Sequence, residues 1–166
     1  MRRYLLLLVL SLASACQSPP TLPPLPTWQS PEGREDVDLG MIRDLNSGQT
    51  LTPQQLIARL AGASQVLVGE QHDNPDHHAL QLWLLQALAD QREQGSLLLE
   101  MLTPDQQSAV DAVQKQIHQG DYPADLPVVL GWQKGWDWAL YGPVMRFALA
   151  QPYPLLSANL GAQEVG

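Results

Sequence analysis

One cysteine, Cys16, stands in a chain of 166 residues, so no internal disulfide framework can form. Basic residues are also scarce: 9 Lys and Arg face 17 Asp and Glu. Two of the nine, Arg2 and Arg3, lie in an N-terminal leader that carries no acid. Without residues 1–15 the chain keeps seven bases against seventeen acids, a net charge of −10. A surface of that sign repels phosphate backbones, which excludes nucleic acid as a partner. No internal repeat and no block of like charge is present. There is no Gly-x-Ser-x-Gly nucleophile motif, and no zinc-finger or zincin spacing of His and Cys. The apolar run near the N-terminus is shorter than the roughly 20 residues a spanning helix needs.

That run is instead part of a leader. MRRYLLLLVLSLASAC places two arginines, an apolar core and small residues before Cys16, the layout of a secretory signal peptide. Ala13-Ser14-Ala15-Cys16 resembles a bacterial lipobox, which implies a lipid on Cys16 and cleavage after residue 15. Gln17 stands where an aspartate would signal inner-membrane retention, which favours the outer membrane. Residues 16–36 are crowded with proline, which lacks an N–H and fixes φ. They are expected to form an extended tether between lipid and domain. The folded domain then spans 37–166, long enough for a core of its own.

Met41–Leu45, Asn46-Ser47-Gly48 and Gln49–Leu51 predict a small hairpin, because Asn-Ser-Gly is turn chemistry. Thr52-Pro53-Gln54-Gln55 opens a helix with a capping threonine and a proline in the first turn. Gln65–Val68 is apolar and partly β-branched, and predicts a buried strand. Asp73 or Asn74 caps a helix with Pro75 just inside, ending near Gln94-Gly95. Ser96–Leu99 predicts a second strand. Thr103-Pro104-Asp105-Gln106 starts a third helix reaching His118, and residues 121–135 read as loop with helical turns. Trp136–Ala150 predicts a helix kinked or broken at Gly142-Pro143, and Pro154–Ala158 a third strand. Strands alternating with helices define an α/β fold, a parallel sheet with helices on both faces.

In such a sheet the strand ends meet at one edge, where ligands bind. The groups just past the three strands are Glu70 and His72, then Glu100, then Asn159. A carboxylate at a buried strand end needs a charge, a donor or a metal beside it. Taken singly, Glu100 could accept helix N–H bonds and His72 could cap the following helix. Three such groups at one edge point to a ligand site. His77 and His78 lie in the next helix's first turn, as exposed filler or as ligands. His72, His77, Glu70 and Glu100 together would suit a divalent metal. A second outlier is GWQKGWDWALYGP, with Trp132, Trp136, Trp138 and Tyr141 within ten residues. Those aromatics serve equally as core or as the wall of a flat ligand's site. A tyrosine can be the proximal ligand of haem iron. Tyr141 is the first candidate, because helical spacing places it near Trp138, with Tyr122 and Tyr153 in reserve.

VLVGEQHDNPDHH, LLLEML, GWDWALYGP and PLLSANL together resemble the ChaN-like haem-binding lipoproteins, over about residues 41–160. These belong to a wider group with the Tiki and TraB-type proteins and their Gly-x-x-His motif, here Gly69-Glu70-Gln71-His72. The resemblance implies an α/β fold, haem as the cofactor, and an outer-membrane, periplasm-facing lipoprotein of iron-regulated haem uptake without catalysis. A homodimer with haem at its interface and an outer-membrane haem receptor are the implied partners. The Tiki likeness implies an alternative, a metal-dependent hydrolase in which Glu70, His72 and Glu100 hold a metal that activates water. The family's domain continues well past Asn159, so the domain here is expected to be truncated, with apolar faces exposed and an unpaired sheet edge.

Overall fold

The structure is a computed structural model that describes residues 21–160. The leader and Cys16 lie outside the described residues. Among the described residues, no helix is long and apolar enough to cross a membrane.

The hairpin forms as its turn chemistry requires. Strand β1 (Ile42–Arg43) pairs antiparallel with β2 (Thr50–Leu51). The Asp44 carboxylate accepts the Asn46 N–H at 2.9 Å and the Ser47 hydroxyl at 2.8 Å. Gly48 closes the turn at φ 72°, which a glycine adopts freely. The arginine Arg59, from the next helix, pairs with the same carboxylate, which the pair holds well below the ordinary carboxylate range.

Helix α1 (Pro53–Ala61) starts at a capping box: Thr52 Oγ1 accepts the Gln55 N–H, and Gln55 Oε1 accepts the Thr52 N–H. Helix α2 (Pro75–Ala89) starts at Asn74, whose side chain accepts the Asp76 N–H at 2.9 Å. The two helices enclose a small core of Ile57, Trp83, Ala87 and Leu88, with Leu22 packed against it from the N-terminal segment.

The proline-rich stretch has no regular secondary structure over 21–30 and turns over 32–35, and it does not hang free. Trp83 Nε1 donates to the Pro23 carbonyl at 2.9 Å. The buried Asp76 carboxylate accepts the backbone N–H groups of Gln29 at 2.6 Å and Ser30 at 3.1 Å. A chain without regular secondary structure must still satisfy its buried N–H groups, and Asp76 does this for two of them.

The sheet departs from the expected three strands. Among the described residues the parallel sheet consists of β3 (Leu97–Leu99) and β4 (Leu155–Ser157), with Leu97 opposite Leu155. Gln65–Val68 is not a strand: it makes no ladder, and Leu67 is 95% exposed. The propensity is there but no partner strand lies beside it, and a strand is stable only as part of a ladder. Nor are both sheet faces covered. Leu97, Leu99 and Leu155 share one face and pack into the main core, whereas Leu98, on the other face, is half exposed.

Between β3 and β4 the chain builds the main core. A 3₁₀ turn, Pro104–Gln106, leads into α3 (Gln107–His118). Gln106 is buried there: its Oε1 accepts the Thr103 N–H and its Nε2 donates to the carbonyls of Leu130 and Gly131. After the short α4 (Leu126–Val129) comes α5 (Trp138–Leu149). Of the kink or break expected at Gly142-Pro143, the break is absent: α5 runs through Pro143. Val144, Met145, Ala148 and Leu149, just beyond it, are all buried. Their burial, at about 1.5–3 kcal/mol for each large side chain, outweighs the roughly 3 kcal/mol an interior proline costs.

Candidate functional site

Helices α2 and α5 pack together, and the Gly69–Asp73 loop that leads into α2 meets the start of α5. Glu70 is the centre of this junction. Its side chain is only 10% exposed. Oε1 accepts the Tyr141 hydroxyl at 2.5 Å and lies 2.9 Å from His72 Nδ1. Oε2 accepts the Gln81 amide at 2.5 Å and lies 3.2 Å from His78 Nδ1. Four side chains from two helices and a loop therefore converge on one carboxylate.

The partners differ in exposure. Tyr141 is 1% exposed and His78 3%, with their rings edge-on at 4.4 Å. The His72 side chain is 58% exposed, and the Trp136 ring meets it edge-on at 4.9 Å. Trp136 also packs on Tyr141 at 5.4 Å. His78 Nε2 lies 3.0 Å from the His72 carbonyl, and His77 Nδ1 accepts the Gln71 N–H at 2.8 Å. These two bonds fasten both sides of the loop to α2.

The titrations follow from these contacts. Burial alone would raise the Glu70 pKa. The hydrogen bonds from Tyr141, His72 and Gln81, with His78 nearby, outweigh it and hold the carboxyl below its ordinary value. The bond to Glu70 raises His72, with Glu70, Glu100 and Asp73 adding charge. Burial, then the bond to Glu70, pushes the Tyr141 phenol well above its ordinary range. With Nδ1–H donated to a carboxylate, the imidazole presents its Nε2 lone pair, the arrangement that orients metal-binding histidines.

The sequence candidates separate into two groups. Glu70, His72 and Tyr141 are brought into direct contact. Glu100 is exposed and touches none of them; its charge reaches His72 and Tyr141 from a distance. Asn159 is occupied locally: its side chain accepts the Leu160 N–H and its own N–H bonds the Leu102 carbonyl. Trp138 stacks edge-on against Trp132 at 4.9 Å and carries Arg146 over its ring, away from Glu70. His77 bonds the loop backbone as described. Among the described residues, no three His, Cys, Asp or Glu side chains are disposed to hold a metal ion, so Glu70, His72, His77 and Glu100 do not form the divalent centre their types would allow.

Three further side chains join Glu70, His72 and Tyr141, and of these only Gln81 stood outside the sequence candidates. Trp136, from the aromatic segment, lies against His72. His78 and Gln81 are a helical pair three residues apart on α2, and that spacing was the available signal.

The family model for haem-binding uptake proteins, Tiki superfamily, ChaN, matches residues 56–166. The chain belongs to this family. Its fold is similar to a solved structure described as cofacial haem binding to ChaN of Campylobacter jejuni, with a TM-score of 0.67 and 26% identity. The match covers 75% of this chain and 50% of that one, so the chain spans half the length of that relative. No curated protein matches the sequence.

Proposed function

We propose that this chain binds haem as a non-catalytic component of haem uptake, at the surface formed by the Gly69–Asp73 loop and Trp136. The observation that carries the reading is the exposed His72 imidazole, its Nδ1 fixed by a nearly buried Glu70. His72 would hold the haem iron through Nε2, and haem would supply the iron that the imidazole meets. A flat apolar ligand fits beside the Trp136 ring, and Glu70, kept ionised, fixes the imidazole tautomer. Tyr141 is assigned a positioning role instead of iron ligation. Its ring is buried and its hydroxyl is already bound to Glu70, so an iron would have to enter the core to reach it.

A lipid on Cys16, an outer-membrane, periplasm-facing location and the 16–36 tether belong to the same proposal and rest on the leader sequence. A second copy of the chain and an outer-membrane haem receptor are its proposed partners. The fold proposed for the domain is a parallel sheet wider than β3–β4 with helices on both faces. The exposed Leu67, Val68 and Leu98 are the side chains it would bury. The hydrolase alternative gains no support, because its three metal ligands do not converge.

The test is a haemin titration of the chain carrying Cys16→Ser, followed in the Soret region, with His72→Ala alongside. Saturable binding that the substitution abolishes supports the assignment. Equal binding by both proteins removes His72 from the iron.

A further inference from the structure

On the other side of α2 from Glu70 lies a cleft of about 330 Å³, walled by α1, α2 and β1 and crossed by the N-terminal segment. That volume sits at the low end of the roughly 300–1,000 Å³ typical of small-molecule pockets. Leucine, isoleucine, methionine and tryptophan side chains make up most of the lining, with Trp28 and Trp83 on opposing segments. Leu25, Leu39 and Met41 are large apolar residues left 41–44% exposed, and all three line this one cleft. Exposed apolar side chains gathered in a concavity mark a binding surface more often than chance exposure does.

The charges select among apolar ligands. No lysine or arginine lines the cleft, whereas Glu32 and Asp76 do. Two arginines come near it and are already engaged. Arg34 donates to the carbonyls of Gln29 and Ser30. Arg43 lies 3.3 Å from the Met41 sulfur and 3.9 Å from Asp38. Asp76 is saturated by the backbone N–H groups of Gln29 and Ser30. The cleft's one histidine, His77, accepts the Gln71 N–H at Nδ1. A carboxylate head would therefore meet the Glu32 carboxylate with no lysine or arginine in the lining to offset it. An uncharged head would meet Asn74, whose side-chain oxygen accepts the Asp76 N–H and whose amide N–H groups can donate, and the hydroxyl of the buried Ser30, whose oxygen accepts the Glu32 N–H.

We infer that this cleft, formed by Trp28, Met41, Trp83 and their neighbours, is a second ligand site that takes the chain of a free, uncharged single-chain lipid. It is separate from the Glu70–His72 surface and does not depend on haem being bound there. His77 lines the cleft and also holds the Gln71 N–H, so the occupant lies one residue's width from the haem loop.

The test uses the full chain carrying Cys16→Ser, so that no attached acyl group competes. The probe N-phenylnaphthylamine is titrated first. Monolauroylglycerol and laurate, both below their micelle-forming concentrations at pH 8, are then used to displace it. Displacement by the uncharged lipid at least tenfold more effective than by laurate is the expected result. Met41→Lys and Leu39→Lys, both at half-exposed positions that leave the core intact, place a cation at the mouth and should reverse that preference. Equal or better displacement by laurate in the parent chain overturns the inference. So does a preference that neither lysine alters, which would put the probe elsewhere, or a folded chain that binds no probe. A cleft blocked only when Cys16 is retained and lipidated would make the chain's own anchor the occupant, and would likewise overturn it.

Discussion

Tyr141→Phe separates a positioning tyrosine from an iron ligand. The substitution removes one oxygen and keeps the ring that packs on His78 and Trp136. What is lost is the 2.5 Å donation to Glu70 Oε1. A hydrogen bond to an ionised group contributes about 1.5–3 kcal/mol, and the Glu70 side chain is shielded enough that water does not fully replace the donor. Gln81 and His72 still hold the carboxylate, so the loss should be about 2 kcal/mol, or roughly 4–8 °C in Tm for a domain of this size. The loss should depend on pH. Glu70 has a folded pKa below its ordinary 4.5, so its stabilisation is full above that value and disappears as pH falls through the folded pKa. Parent and variant should therefore converge in stability under acid. Urea unfolding followed by tryptophan fluorescence, at neutral and at acid pH, measures both effects. Haemin titration of the same pair gives the second readout. The variant should still bind haem, more weakly, with the parent's spectral type. A parent spectrum of the tyrosinate kind that vanishes in Tyr141→Phe would refute the reasoning, because the phenol would then leave its buried place to meet iron. Stability unchanged at neutral pH would refute the hydrogen-bond assignment itself.

Glu70→Gln should lower the His72 pKa toward 6.5, since the bond to Glu70 is the main cause of its rise; NMR titration of the ring protons reads this directly. In the parent, the charged His72–Glu70 pair stabilises the fold fully below pH 6.5 and fades as pH rises through the raised value. The same variant should weaken haem binding by roughly 10–100-fold, the usual effect of losing the carboxylate behind a metal-bound histidine; a loss under twofold would put iron elsewhere. Asp76→Ala should release residues 22–30, seen as faster amide exchange at Gln29 and Ser30, while α5 stays protected. Haem should promote self-association, because His72 and Trp136 form a surface that covers one face of the ring. Sedimentation showing a fully haem-loaded monomer would remove the dimer from the proposal.

The helices were legible because their boundaries are chemical. Thr52, Asn74 and Thr103 each combine a side-chain oxygen with a following proline, and the structure starts a helix or a 3₁₀ turn at every one. The strands were less legible, for a reason that Gln65–Val68 and Leu97–Leu99 make plain. Both are short and largely apolar, with a glutamate within two residues of their ends, yet only the second finds a partner in β4. Local composition records that a segment can join a ladder; whether it does depends on residues far away in the chain. Pro143 failed as a signal in the opposite direction. A local breaking tendency yielded to the burial of Val144, Met145 and Ala148 around it.

For the site, residues two apart on a loop could be grouped from sequence, and Glu70 with His72 were. Tyr141 was singled out by its helical spacing from Trp138, but its contact with Glu70, 71 residues away, arises only through the packing of α5 on α2. The same packing places Trp136, and not Trp138, against His72. Asp137 caps α5, so Trp138 is the first residue inside the helix and Trp136 lies before the cap, on the loop side. From there Trp136 meets the His72 ring of the preceding loop, while Trp138 packs on Trp132. Exposure then assigns the roles that residue type leaves open. Of the Tyr and His side chains around Glu70, the three that share its carboxylate are Tyr141, His78 and His72. Two of them are sealed in the core and one stands in solvent. A ligand arriving from outside can be met by His72 alone, while the buried pair can act only through the carboxylate they share with it.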